Sequence, residues 1–214
     1  MFTLTINLTS IQLQNFHLGG DKILLAKAVP TAQGLSQSQV TWLAMAPQAT
    51  LVVSWQETYG IYVATALPIM EEAIIPANSL SSASLGGSYT YGSAGTFSGP
   101  SATPAPTDSY SLLNQYQNGS LGAPLTVGLL QAASVSNSPV AAAPVTADTV
   151  LQNQTDIMTP NPAVYIWAQS PGGSLASGME LIVVGSPLLV PFNSSTTSLT
   201  VTYNDATGAF QLTY

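Results

Sequence analysis

The sequence predicts an all-β protein, a β-sandwich of many short antiparallel strands with little helix. Two observations carry that expectation. The first is strict alternation near residue 200: Leu199, Val201 and Tyr203 oppose Thr200 and Thr202, Asn204 to Gly208 supply a turn, and Phe210, Leu212 and Tyr214 oppose Gln211 and Thr213. The second is the recurrence of short β-branched and aromatic runs, about twelve to fourteen of them, divided by Gly, Pro, Asn and Asp.

In chain order, residues 2–18 read as one long or two short strands, FTLTINL and IQLQNFHL. Phe2, Leu4 and Ile6 lie on one face and Thr3, Thr5 and Asn7 on the other. Gly19-Gly20-Asp21 is a turn, 22–29 (KILLAKAV) a second apolar run, and 30–38 a loop. Residues 39–65 hold two of the three Trp and give strands at 40–46, 51–56 and 59–66. Both parities there are largely apolar, which predicts strands covered on two faces or an interface. Residues 68–77 (PIMEEAIIPA) are the best short-helix segment, with Glu71 and Glu72 in a first turn, and are equally readable as a bend followed by a strand.

Within the Ser/Gly/Ala-rich stretch 79–109, SYTYGSAGTF reads as a strand pair and GPSATPAPTD as a proline-stiffened connection. Further strands are expected at 110–117, before an Asn118-Gly119 turn, and at 125–132, 149–158, 163–169, 179–184 and 188–192. PQATLVVSW (47–55) resembles PNPAVYIW (160–167). The expected organisation is therefore a single all-β unit, with two similar halves at 1–98 and 109–214.

Composition narrows the function. Charged residues make up 5% of the chain, against about 25% in ordinary soluble domains. There are two Lys, Lys22 and Lys27, no Arg, and a net charge of −7. Two cations cannot neutralise a phosphate backbone, so nucleic acid is not an expected partner. No apolar run reaches the length of a membrane helix, so no membrane insertion is expected. MFTLTINLTSIQL lacks a basic start and a continuous apolar stretch, which predicts no signal peptide and a cytoplasmic site unless a leader has been removed.

Catalytic chemistry is thinly provided. The one His, His17, lies in FHLGG without a G-X-S-X-G elbow, and Cys is absent. No metal site, cofactor or catalytic residue is predicted from these donors. WQETYG places Glu57 beside Trp55 and Tyr59, and these three are the candidate ligand-binding residues. A carboxylate among rings can have a raised pKa and act as an acid, which would suit a glycoside hydrolase. The competing reading is that Glu57 caps a turn between strands. The polar, nearly charge-free surface predicts self-association and a structural or self-assembling role that is not enzymatic. The alternative is a lectin-like module that stacks a neutral glycan on Trp or Tyr.

Overall fold

The computed structural model describes residues 1–28, 39–118, 121–170, 175–181 and 186–213. The chain order begins β1 (Phe2–Asn7), α1 (Ser10–Gly19), β2 (Lys22–Lys27), β3 (Gln39–Met45), β4 (Thr50–Trp55), β5 (Gly60–Ala64), β6 (Asn78–Leu80), β7 (Ser88–Tyr91) and β8 (Phe97–Ser98). It continues with β9 (Tyr110–Asn114), β10 (Gln117–Asn118), β11 (Leu121–Gly122), β12 (Leu125–Val135), β13 (Ser138–Pro144), β14 (Asp148–Val150) and β15 (Thr155–Met158). The last are β16 (Val164–Gln169), β17 (Met179–Leu181), β18 (Leu188–Val190), β19 (Ser198–Asn204) and β20 (Ala209–Thr213). The protein is an all-β sandwich, and several strands are only two or three residues long.

A nine-stranded sheet runs β20-β19-β1-β4-β12-β5-β6, with β13 and β14 also paired to β12. A five-stranded sheet runs β17-β3-β2-β16-β18, and a four-stranded sheet runs β15-β9-β7-β8. Each of these sheets combines strands from before residue 98 with strands from after residue 109. The two similar segments also part company: β4 lies in the nine-stranded sheet and β16 in the five-stranded one.

One continuous core joins the three sheets. Leu4, Ile6 and Val53 come from the nine-stranded sheet, Ile23, Leu25 and Trp42 from the five-stranded sheet, and Tyr89 and Leu112 from the four-stranded sheet. Smaller clusters lie on outer faces, around Leu24, Trp167 and Met179 and around Tyr62 and Leu130. These explain the two-sided apolarity of β2 and of β5, where every residue is buried. β4 differs from expectation. Its burial alternates, and Val52 on its outer face is 36% exposed.

One local expectation is overturned, and at 68–77, readable as a helix or as a bend leading into a strand, the helix does not form. IQLQNFHL forms helix α1 and not a strand. Thr9 and Gln12 build a capping box at its start, and Gly20 closes it in the left-handed region at φ 69°. The buried face is Gln12 and Phe16, while Ile11 and Leu18 point to solvent. Gln12 Nε2 donates to the Tyr203 carbonyl (2.9 Å) and to Asp205 Oδ2 (2.8 Å), which ties the helix to the β19–β20 turn. Residues 68–77 form no helix; Glu71 has φ 65°, and Ala73 bridges to Met179. The expected loop at 30–38 lies outside the described residues, as do Gly119 of the expected turn and 182–184 of the expected strand.

Candidate functional site

The candidate residues Trp55, Glu57 and Tyr59 occupy the bend from β4 to β5. They are spaced by two, so an extended chain turns all three side chains the same way. Trp55 ends β4, opposite Phe2 in the register with β1. The two rings stack at 5.8 Å and 24°, as a cross-strand pair should. Gly60 follows at once, and a Cβ there would lie 2.7 Å from the Leu80 carbonyl oxygen. The close pass of β6 therefore demands glycine where the bend turns into β5.

Other strands complete the site. On β2, Ile23, Leu25 and Lys27 share a parity, and Ile23 and Leu25 face the main core. Lys27 is 3% exposed and its Nζ donates to Glu57 Oε1 at 2.9 Å. The ammonium sits 4.9 Å from the Trp55 ring centroid, 5.3 Å from Trp42 and 6.0 Å from Tyr59. It is thus caged by rings whose faces attract a cation.

Glu57 gathers further donors. Trp55 Nε1 donates to Oε1 at 2.8 Å and Tyr59 OH to Oε2 at 2.6 Å. Gln131 Nε2, from β12, reaches Oε1 at 3.5 Å and donates to the Gln56 carbonyl at 2.7 Å. Trp42 Nε1 donates to the Gln131 carbonyl at 2.9 Å, where the β12–β13 register shifts between Gln131 and Ala133. The bulge frees a carbonyl that a regular ladder would engage. Lys27 and Trp42 belong to the five-stranded sheet, and Trp55 and Gln131 to the nine-stranded sheet. This cluster therefore clamps the two sheets together.

Its electrostatics follow from burial and pairing. Burial alone would raise the Glu57 pKa, but the Lys27 charge and the hydrogen bonds from Tyr59, Lys27 and Trp55 outweigh it, so Glu57 lies below the usual carboxylate value. That is the reverse of the raised pKa a general acid needs. Lys27 is pushed down to about 8 by burial, which the Glu57 charge and hydrogen bond only partly oppose. Tyr59 is raised by burial and by the adjacent Glu57 charge. Tyr110, whose ring meets Tyr59 at 6.0 Å, is raised to about 12 by burial, then by Glu57 and Tyr89.

The expected residues are brought together, but as parts of the interior. Trp55 is 3% exposed and Tyr59 2%, while the Glu57 side chain keeps 26% of its surface. Trp42 and Trp167 are buried too, so none of the three Trp presents a ring face on which a sugar could stack. His17 pairs with the Pro47 carbonyl at 3.2 Å. Among the described residues no group of three or more metal-ligating side chains forms, and no helix is long and apolar enough to cross a membrane. Sequence reading missed Lys27, Trp42 and Gln131. A lone lysine in phase with Ile23 and Leu25 was the signal available for the first. No protein-family model, curated protein or solved structure matches this chain.

Proposed function

We propose that this protein is a structural, self-associating β-sandwich and not an enzyme. The observation that carries the reading is the character of the sheet's rim. The terminal strands of the nine-stranded sheet, β20 (AFQLT) and β6 (NSL), carry no charged side chain. Edge strands kept from pairing with another chain usually bear inward charges, lysines or prolines. Here those guards are missing at both ends of the sheet.

Two further features support it. The ionic groups of the candidate site serve each other: Glu57 accepts from Lys27, Trp55 and Tyr59, which leaves little for a substrate. Apolar side chains meanwhile stand in solvent along 67–75, with Leu67 50%, Ile69 55% and Ile75 79% exposed around a cleft of about 150 Å³. The burial of the three Trp favours this reading over a neutral-glycan module, and the lowered Glu57 pKa favours it over a carboxylate hydrolase.

Analytical ultracentrifugation across the micromolar range tests it. Reversible or stable oligomers are expected, and a monomer at every concentration overturns the proposal. A glycan array followed by Trp fluorescence titration is expected to show no shift; a saturable sugar response would move the assignment to a binding module.

A further inference from the structure

The strands that end each sheet are not alike. A free edge is normally closed by shortness, by proline, by a charged side chain or by a covering loop. In the five-stranded sheet, β17 is three residues long, and β18 lies between Pro187 and Pro191. In the four-stranded sheet, β8 is two residues long, and β15 carries the fully buried Asp156. In the nine-stranded sheet, β13 includes Pro139 and Pro144, and β14 is three residues long and includes Asp148. β6 is three residues long as well, and Asn78 Nδ2 donates to the Gly95 carbonyl at 3.0 Å, which draws another loop alongside. β10 and β11 have two residues each.

β20 differs from all of these. It is five residues long, AFQLT, with neither proline nor a charged side chain. β19 pairs with all five residues on one side, and β16 and β18 pack against the strand. Phe210 is buried and Leu212 half-buried, while Gln211 and Thr213 are exposed. β20 is thus an ordered strand whose second edge pairs with no other described strand.

We propose that β20 pairs antiparallel with β20 of a second copy, about a two-fold axis through Gln211, so that two nine-stranded sheets become one. This pairing presupposes the self-associating role proposed above and names the edge that performs it. A two-fold contact sets the same patch against itself. With the axis at Gln211, Gln211 faces Gln211 of the second copy, Phe210 faces Leu212 and Ala209 faces Thr213, so all five residues pair. Opposed residues of antiparallel strands point to the same face. Phe210 and Leu212 therefore meet on the inner face, and the two Gln211 side chains meet on the wet one. A slip of one residue would set inner side chains against outer ones. This self-complementarity is what selects a second copy as the partner. The pairing also suits a chain of net charge −7. A two-fold sets any charge near the axis against its like, and β20 has none. Asp205, in the β19–β20 turn, is carried to opposite ends of the contact in the two copies. A five-residue edge covers little area, so the dimer is expected to dissociate in the micromolar range.

Sedimentation of Gln211→Lys and Gln211→Glu tests the pairing. Gln211 is exposed, so both variants are expected to fold, with near-ultraviolet circular dichroism as the check. Each alone sets like charges together at the axis and should dimerise at least about tenfold more weakly than the parent. Mixed in equal amounts, they set Lys against Glu and should recover the dimer. Ser79→Lys on β6 should leave it unchanged. Parent oligomers that survive both Gln211 variants, a mixture that recovers nothing, or oligomers lost in Ser79→Lys overturn the β20 pairing and leave self-association standing. A parent that is monomeric throughout overturns self-association itself, and the pairing with it. If neither Gln211 variant folds, amide exchange on the parent decides. Residues 209–213 should gain protection from low to high micromolar concentration, and equal protection overturns the pairing.

Discussion

Glu57 and Asp156 are both carboxylates inside a sandwich whose chain is 5% charged, but their surroundings differ in kind. Glu57 meets an ammonium, an indole N–H and a phenol, and keeps a partly exposed edge. Asp156 meets the charge of another carboxylate, with only the weaker pull of the Ile157 backbone N–H against it. Glu57 is held ionised below its ordinary pKa, and Asp156 is pushed toward the neutral acid. Burial acts upward on both. The supply of donors and the sign of the nearest charge decide the outcome.

The comparison breaks most easily at Glu57. Glu57→Ala strands Lys27 without its anion and removes the acceptor for Trp55 and Tyr59. A loss of about 3–5 kcal/mol is expected in urea unfolding at pH 7. A loss below about 1 kcal/mol would mean that the pair contributes no more than a surface salt bridge. The next effect is coupling. Combining Lys27→Met with Glu57→Gln should cost less than the two single changes added together, by about 1–3 kcal/mol. Strict additivity would show that the clamp is not one unit.

At the other carboxylate the sign reverses. Asp156→Asn is expected to stabilise the fold at pH 8 by on the order of 2 kcal/mol, and to do nothing at pH 4. The smallest effect joins the two regions in one profile. Asp156 makes stability fall as pH rises from 3.8 toward about 7. Lys27, lowered from 10.5 to about 8, binds fewer protons folded than unfolded between those values, so stability should recover as pH rises above about 8. Urea midpoints measured against pH should therefore pass through a shallow minimum near 7–8. A monotonic curve there would show that one of the two groups titrates as it does in the unfolded chain.

The sheet elements were legible because alternation survives in β1, β19 and β20, where one face is wet. Helix α1 was not, because Ile11 and Leu13 alternate with Gln12 and Gln14 and so mimic a strand. The capping pattern Thr9 to Gln12, with Gly20 beyond, was the better guide. The local part of the site was legible for a similar reason: Trp55, Glu57 and Tyr59 are neighbours in sequence. Their partners come from β2, β3 and β12, and only sheet packing brings those strands together. Asp156 is in phase with the buried Met158, which marks it as an inward carboxylate, but its nearness to Asp148 depends on how two sheets meet.

The position of β1 has a consequence for how the protein reaches this state. β1 lies between β4 and β19, antiparallel to one and parallel to the other, with Thr3 opposite Ser198. A pairing between residues so distant must wait for a very long loop to close, and topologies dominated by such pairings fold slowly. Until 198–213 arrive, one side of β1 offers its backbone groups to any passing strand. A nascent chain on the ribosome would stay in that exposed condition until those residues had emerged. That interval is when this charge-poor sequence would be most open to misassembly and most dependent on chaperones.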